Sequence, residues 1–312
     1  MRIVSLLPAA TEIVAALGFA DSLVGVSHEC NYPAEVNRLP RVSHCEVYGK
    51  GLPSAEVDRW VSGALSSNGT LYTIDEPLLR SLAPDVIVTQ QLCDVCAIDY
   101  RTISAIAQSL PGKPQLLSLS PSSFADVLDD VRRVAAALGA PERGDALVES
   151  LERRVDAVHA RASRAASRPR CVQLEWIDPL YCSGHWSPEL VEIAGGVDPL
   201  GLKGKPSVRT AWEKLVDARP DILVLACCGY EIERTLADLR ILQSRSEWES
   251  LPAVREGRVY AVNGCAYFSR PGPRLVDSLE IMAEIIHPEI FPRRSAQNDL
   301  IRVEALRPIA SA

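Results

Sequence analysis

The sequence predicts an α/β protein of two similar lobes with mainly parallel sheets, and three observations lead to that expectation. Strand-forming aliphatic runs alternate with helix-period stretches along the chain, the order that builds parallel sheets. At 312 residues the chain is longer than one hydrophobic core usually serves. It also repeats itself: LRSLAPDVIVTQ at 79–90 matches LVDARPDILVLA at 215–226, in each case a helix end, Pro-Asp and then an apolar strand. ATEIVAALG at 10–18 similarly resembles PELVEIAGG at 188–196, a short helix stopped by glycine, and the two elements keep the same order in each half.

Residues 2–7 form the first expected strand, followed by a turn at Pro8 and a helix closing at Gly18. This opening imitates a signal peptide, with Arg2 as a basic start. However, Pro8 and the pair Thr11–Glu12 interrupt the stretch where an apolar run should continue, so it reads as part of the fold. Nine cysteines, an odd number in a chain too large to need staples, add to the expectation of a reducing cytoplasm. A processed form would instead be periplasmic or otherwise extracytoplasmic.

Further on, VIVTQQLCDVCAIDY at 86–100 is a strand that empties into a C-x-x-C pair, with a helix expected after Asp99. Phe124, Val127, Leu128, Val131, Val134, Ala135 and Leu138 fall on one helical face, with Ser123 as N-cap and Gly139 as stop. After Pro141 a second helix carries Leu147, Leu151, Val155 and Val158 on one face. Running to about residue 166, it would be roughly 37 Å long at 1.5 Å per residue, long enough to be a rigid strut. The expected organisation is therefore an N-terminal lobe at 1–140, a connecting helix at 141–167, a C-terminal lobe at 168–290 and a tail at 291–312, with a ligand cleft between the lobes.

Composition excludes several roles. The net charge of −7 argues against a nucleic-acid binder. ILVLACCG at 222–229 is far short of the ~20 residues that span a bilayer, so the chain is not expected to cross a membrane. No G-x-S-x-G, Walker A lysine or H-E-x-x-H motif occurs, and the expectation is a binding protein, not an enzyme.

In open α/β sheets, ligands bind at the loops beyond the carboxyl ends of the strands. These loops place Pro8 and Ala9, Tyr32, Gln91 with Cys93, Trp176, His185 with Trp186, and Tyr267, Phe268 and Arg270 in the expected ligand site. Flat aromatic faces suit a large planar ligand, whereas packing within a lobe is the plain alternative for each. Arg270 and Arg274 flank Pro-Gly-Pro and could hydrogen-bond ligand oxyanions or sit solvated. Cys93 and Cys96 have three readings: a redox pair, part of a metal set with His28 and Cys30, or pocket wall. Asp94 and Asp99 oppose a thiolate and no second C-x-x-C completes a zinc site, so pocket wall is preferred. A cytoplasmic metal or redox protein on the same scaffold is the rival function.

RIVSLLPAATEIVAALG, the NYP of SHECNYP, LAPDVIV, the long central helix, GHW-x-PELVEIAGG and the late RPGPR, over roughly residues 1–290, together resemble the cobalamin-binding, substrate-binding proteins of ABC importers, relatives of siderophore and haem binders. The resemblance implies two α/β lobes joined by a rigid helix and a bound cobalamin or related corrinoid, tetrapyrrole or metal chelate. It further implies an ABC permease as partner, met by one acidic residue per lobe, with Glu76 and Glu213 as the matching positions. A monomer is the expected state. The absence of a visible export signal and the cysteine-rich loops depart from that pattern.

Overall fold

A computed structural model describes residues 1–47, 50–66, 71–90 and 100–303. The chain divides into two compact units, Met1–Leu151 with Pro271–Pro273, and Glu152–Arg270 with Arg274–Ala312.

The first unit comprises β1 (Ile3–Ser5), α1 (Pro8–Ala16), β2 (Leu23–Val26), β3 (Ser43–Cys45), α2 (Ser54–Ser66), β4 (Tyr72–Ile74), α3 (Glu76–Ser81), β5 (Val86–Gln90), α4 (Tyr100–Ser109), β6 (Gln115–Leu119), α5 (Phe124–Ala137) and the start of α6 (Pro141–Ala162). Its main sheet runs β2-β1-β5-β6, all parallel, while β3 and β4 form a small antiparallel pair. All three residues of β1 and all five of β5 are buried, as strands covered on both faces must be. Val4, Leu6, Leu79, Ile87 and Ile103 form the core of this unit. Pro8 starts α1 without a side-chain cap, since its missing N–H needs no partner there, and Gly18 takes φ +82° just past the helix end. Ser123 and Asp126 close a capping box on α5, and the apolar stripe from Phe124 to Ala135 is buried as the periodicity predicts.

The second unit continues with β7 (Cys171–Trp176), β8 (Tyr181–Cys182), β9 (Gly184–His185), α7 (Ser187–Ile193), β10 (Leu202–Lys203), α8 (Trp212–Ala218), β11 (Ile222–Leu225), α9 (Ile232–Gln243), α10 (Pro252–Arg255), β12 (Val259–Val262), α11 (Leu275–Ile286) and β13 (Leu300–Arg302). Its sheet is ordered β13-β12-β11-β7-β8; the three middle strands are parallel and both edge strands antiparallel. Val172, Leu174, Leu215, Leu223, Leu239 and Trp248 belong to its core. β13 lies within the segment expected as a tail, and Leu300 pairs with Val262.

The internal repeat is structural. α3–β5 and α8–β11 are each a helix, a Pro-Asp turn and a buried strand, and Ala83 and Arg219 occupy the same place in the turn with φ +41° and +43°. In the first unit the Asp85 carboxylate accepts from the Arg2 amide at 2.7 Å, and the Arg2 Nε donates to the Leu82 carbonyl at 2.7 Å. In the second, Asp221 accepts from the Arg170 amide at 2.8 Å and the Arg170 Nε donates to the Ala218 carbonyl at 2.7 Å. The same clamp ties strand to strand at the amino edge of each sheet.

Candidate functional site

The loops that follow β1 and β2 in the first unit are fixed by a short chain of hydroxyls and one thiol. Thr11 Oγ1 lies 2.8 Å from Ser5 Oγ and 3.0 Å from Cys30 Sγ, which is 3.1 Å from Ser27 Oγ. Arg41 donates to the carbonyls of Ser27 and Cys30, so the 27–30 turn is held from both sides. The Cys30 side chain is thereby spent on structure and is buried. Tyr32, two residues on, is 46% exposed and joins Pro33 through a cis peptide bond. Pro8 is half-buried and Ala9 buried at the start of α1.

His28 sits beside this turn, its Nδ1 2.9 Å from Ser43 Oγ and its ring centroid 5.4 Å from that of Tyr72. Burial, then the positive fields of His44 and Arg41, bring its pKa down to about 4, so the imidazole is neutral at physiological pH. A neutral imidazole is the ligating form. Even so, no group of three or more His, Cys, Asp or Glu suited to a metal ion occurs among the described residues. Gln91, Cys93 and Cys96 lie outside the described residues, and with them the rest of the expected metal set.

In the second unit the aromatic residues named from sequence divide into two kinds. Trp186 is only 7% exposed, and its indole N–H donates to the Phe268 carbonyl at 3.0 Å. Phe268 is itself buried, so this pair ties two loops together. The indole N–H of Trp176 donates to the Asp178 carbonyl at 3.0 Å, and its half-buried ring lies 4.7 Å from Tyr230. His185 adopts φ +51° and places its half-buried ring 5.4 Å from Trp186, with burial drawing its pKa down. Tyr267 donates its hydroxyl to Asp299 at 3.0 Å; burial first, and then that bond, push its pKa up to about 12. Arg274 lies 5.4 Å over the same ring. Arg270 is 5% exposed and reaches Cys265 Sγ at 3.6 Å. His185, Trp186 and Phe268 are thus brought together directly, with Tyr267 and Arg270 on the same loop as Phe268. Glu76 and Glu213 are both exposed, each in the first turn of its repeat helix.

Two half-buried carboxylates were not singled out from the sequence. Glu175, at the end of β7, accepts from the Gly184 amide at 3.0 Å and from Ser207 Oγ at 2.5 Å, and burial raises its pKa. Asp198 accepts from Ser183 Oγ at 2.7 Å and from the amides of Leu200 and Gly201, and burial raises its pKa as well. Together they set the path of the loop that presents His185. The available signals were an acidic residue ending an apolar strand in LEWID and an aspartate opening a turn in VDPLG.

A family model described as periplasmic binding protein matches residues 3–264. An uncharacterized ABC transporter substrate-binding lipoprotein, YvrC, of Bacillus subtilis is 24% identical over 93% of this chain and 81% of its own length. A vitamin B12-binding protein of Vibrio cholerae is 22% identical over 89% of this chain and 86% of its own. Among solved structures, the periplasmic heme-binding protein RhuT of Roseiflexus sp. RS-1 superposes with a TM-score of 0.69 at 22% identity, covering 92% of this chain and 97% of that one. Relatives named as lipoprotein and periplasmic give no support to the expected cytoplasmic residence. No helix of the described residues is long and apolar enough to cross a membrane.

Proposed function

From the premise that this chain belongs to the periplasmic binding protein family and is a solute-binding protein, not an enzyme, we propose that it captures cobalamin or a related corrinoid or tetrapyrrole for an ABC-type uptake system. The observation that carries the reading is the 22% identity to a vitamin B12-binding protein across 89% of the chain. The loops at the carboxyl edges of the sheets supply what a large flat ligand needs. Tyr32, Trp176, His185 and Tyr267 keep partly exposed rings, and within the second unit the buried Trp186 lies beside His185 and donates to the Phe268 carbonyl. Residence outside the cytoplasmic membrane follows the lipoprotein relative, and the metal or redox alternative is not favoured.

Titration of the purified protein with cyanocobalamin, cobinamide and haemin, followed by visible absorption and calorimetry, tests the reading. One corrinoid or haem equivalent should bind per monomer; no response to any of the three would overturn it. Docking to a permease through Glu76 and Glu213 belongs to the same proposal. Reversing both charges should abolish ligand-stimulated transport and leave ligand affinity unchanged, and unaltered transport would remove this role from the two residues.

A further inference from the structure

A cavity of about 600 Å³ opens in the second unit at the amino edge of its sheet, where β7, β11 and β12 begin. The candidate ligand loops leave the other, carboxyl edge of those strands. Arg168, Arg258 and Arg302 line the cavity, together with Tyr260, Asp221 and Glu256.

The three guanidinium groups are aimed by main-chain carbonyls. Arg168 Nη2 donates to Gly196 at 3.0 Å. Arg258 Nη2 donates to Ile285 and Ile286 at the end of α11, at 3.1 and 2.9 Å. Arg302 donates to Gly257 and to Glu256, the latter at 3.1 Å. Carbonyl acceptors orient a guanidinium without neutralising it, and each group keeps further N–H donors in hand. Among the described residues none of the three arginines takes part in an ion pair. Tyr260 stands opposite Arg302 in the β12–β13 ladder; its ring is buried, and its hydroxyl finds no partner among the described residues.

The internal repeat provides a control. Ile87 pairs with Leu116 in the first unit as Leu223 pairs with Val259 in the second, so Gln115 and Leu117 occupy the places of Arg258 and Tyr260. The fold therefore does not require a cation or a phenol at these positions, and the second unit has acquired both. The lining carries three positive and two negative side chains, which favours a ligand of single negative charge over a dianion. The Arg forks suit paired oxygens, and the Tyr260 hydroxyl could donate to one more.

We propose that this cavity binds a monoanionic phosphodiester, the chemistry shared by the headgroup linkage of an anionic phospholipid and by small soluble diesters. Arg168 and Arg302 take the phosphate oxygens from the rim, Arg258 sets the charge at the base, and Tyr260 fixes the orientation.

The experiment uses the full chain and two probes, phosphatidylcholine vesicles with and without phosphatidylglycerol, and soluble glycerophosphoglycerol. Flotation and calorimetry should detect binding that falls at least tenfold in the R168Q/R302Q double variant and severalfold in Y260F, with circular dichroism unchanged. Both substituted arginines are exposed, so the double variant is expected to fold. Binding to the charged vesicles alone identifies a lipid headgroup as the source, and binding of the soluble diester identifies a free ligand. Failure of both probes, or equal binding by wild type and the double variant, overturns the proposal. Corrinoid titration of the same variants should be unaltered, which keeps this outcome separate from the uptake function.

Discussion

The amino edges of the two sheets are built alike, whereas their carboxyl edges are not. At the amino edges the Arg–Asp clamp recurs with distances that agree within 0.1 Å: 2.7 against 2.8 Å for the amide bonds and 2.7 Å for both guanidinium bonds. At the carboxyl edges, the register that equates Ile3 with Cys171 makes Ser5 the counterpart of Gln173 and Leu7 the counterpart of Glu175. The first unit binds its turn with small hydroxyls and a thiol; the second uses a half-buried carboxylate that ties two segments. Repetition thus preserves the parts that make a strand pair and lets the carboxyl-edge turns differ. This is the division expected when a scaffold is duplicated and its loops are recruited for recognition.

The equivalence of the two units is tested most strongly in the core they share. Ile87 and Leu223 occupy equivalent, fully buried positions. Ile87→Ala and Leu223→Ala should each cost about 2–5 kcal/mol in denaturant unfolding. A loss below about 1 kcal/mol in one of them alone would show that the two cores are not equivalent. Next in size is Glu175→Ala, which leaves the Gly184 amide and the Ser207 hydroxyl without their acceptor. It should cost about 1–3 kcal/mol and weaken corrinoid binding, with Glu175→Gln milder on both counts. An alanine variant indistinguishable from wild type would refute the positioning role. The clamps are smaller. Asp85→Ala and Asp221→Ala should each lose about 0.5–1.5 kcal/mol, and to a similar extent, if the repeat is energetic as well as geometric.

A further signal is in the pH dependence, where the two units should oppose each other. His28 has its pKa lowered from 6.5 to about 4, so the unfolded chain binds its proton first. Its contribution is present above about pH 6.5 and drains away as pH falls towards 4; His28→Gln should flatten that part of the stability curve. Glu175 and Asp198 have raised values, so the folded state binds protons more tightly. Stability in their part of the molecule should rise on acidification from neutrality towards the ordinary carboxylate range, and Glu175→Gln should remove much of that rise. Denaturation midpoints of wild type and both variants between pH 4 and 8 check the two signs.

Local rules account for the part of the fold that is legible in residue order. Residue period, Pro-Asp turns and stop glycines announced the alternating elements, the capped α5 helix and the repeat, because each rests on backbone chemistry that neighbouring residues settle among themselves. The helix after Asp99 and the long helix after Pro141 were legible for the same reason. Long-range packing settles which of the singled-out residues are spent inside the fold. Trp186, Phe268 and Cys30 give their polar contacts to their own unit, and no sequence pattern separates an aromatic that stacks on a ligand from one that buttresses a loop. Likewise β13 joins the second sheet from the far end of the chain, and Arg168, Arg258 and Arg302 meet around one cavity from three separate segments. Such convergence is set by long-range packing, in which residues more than a hundred positions apart become neighbours, and that information is held by the folded chain as a whole.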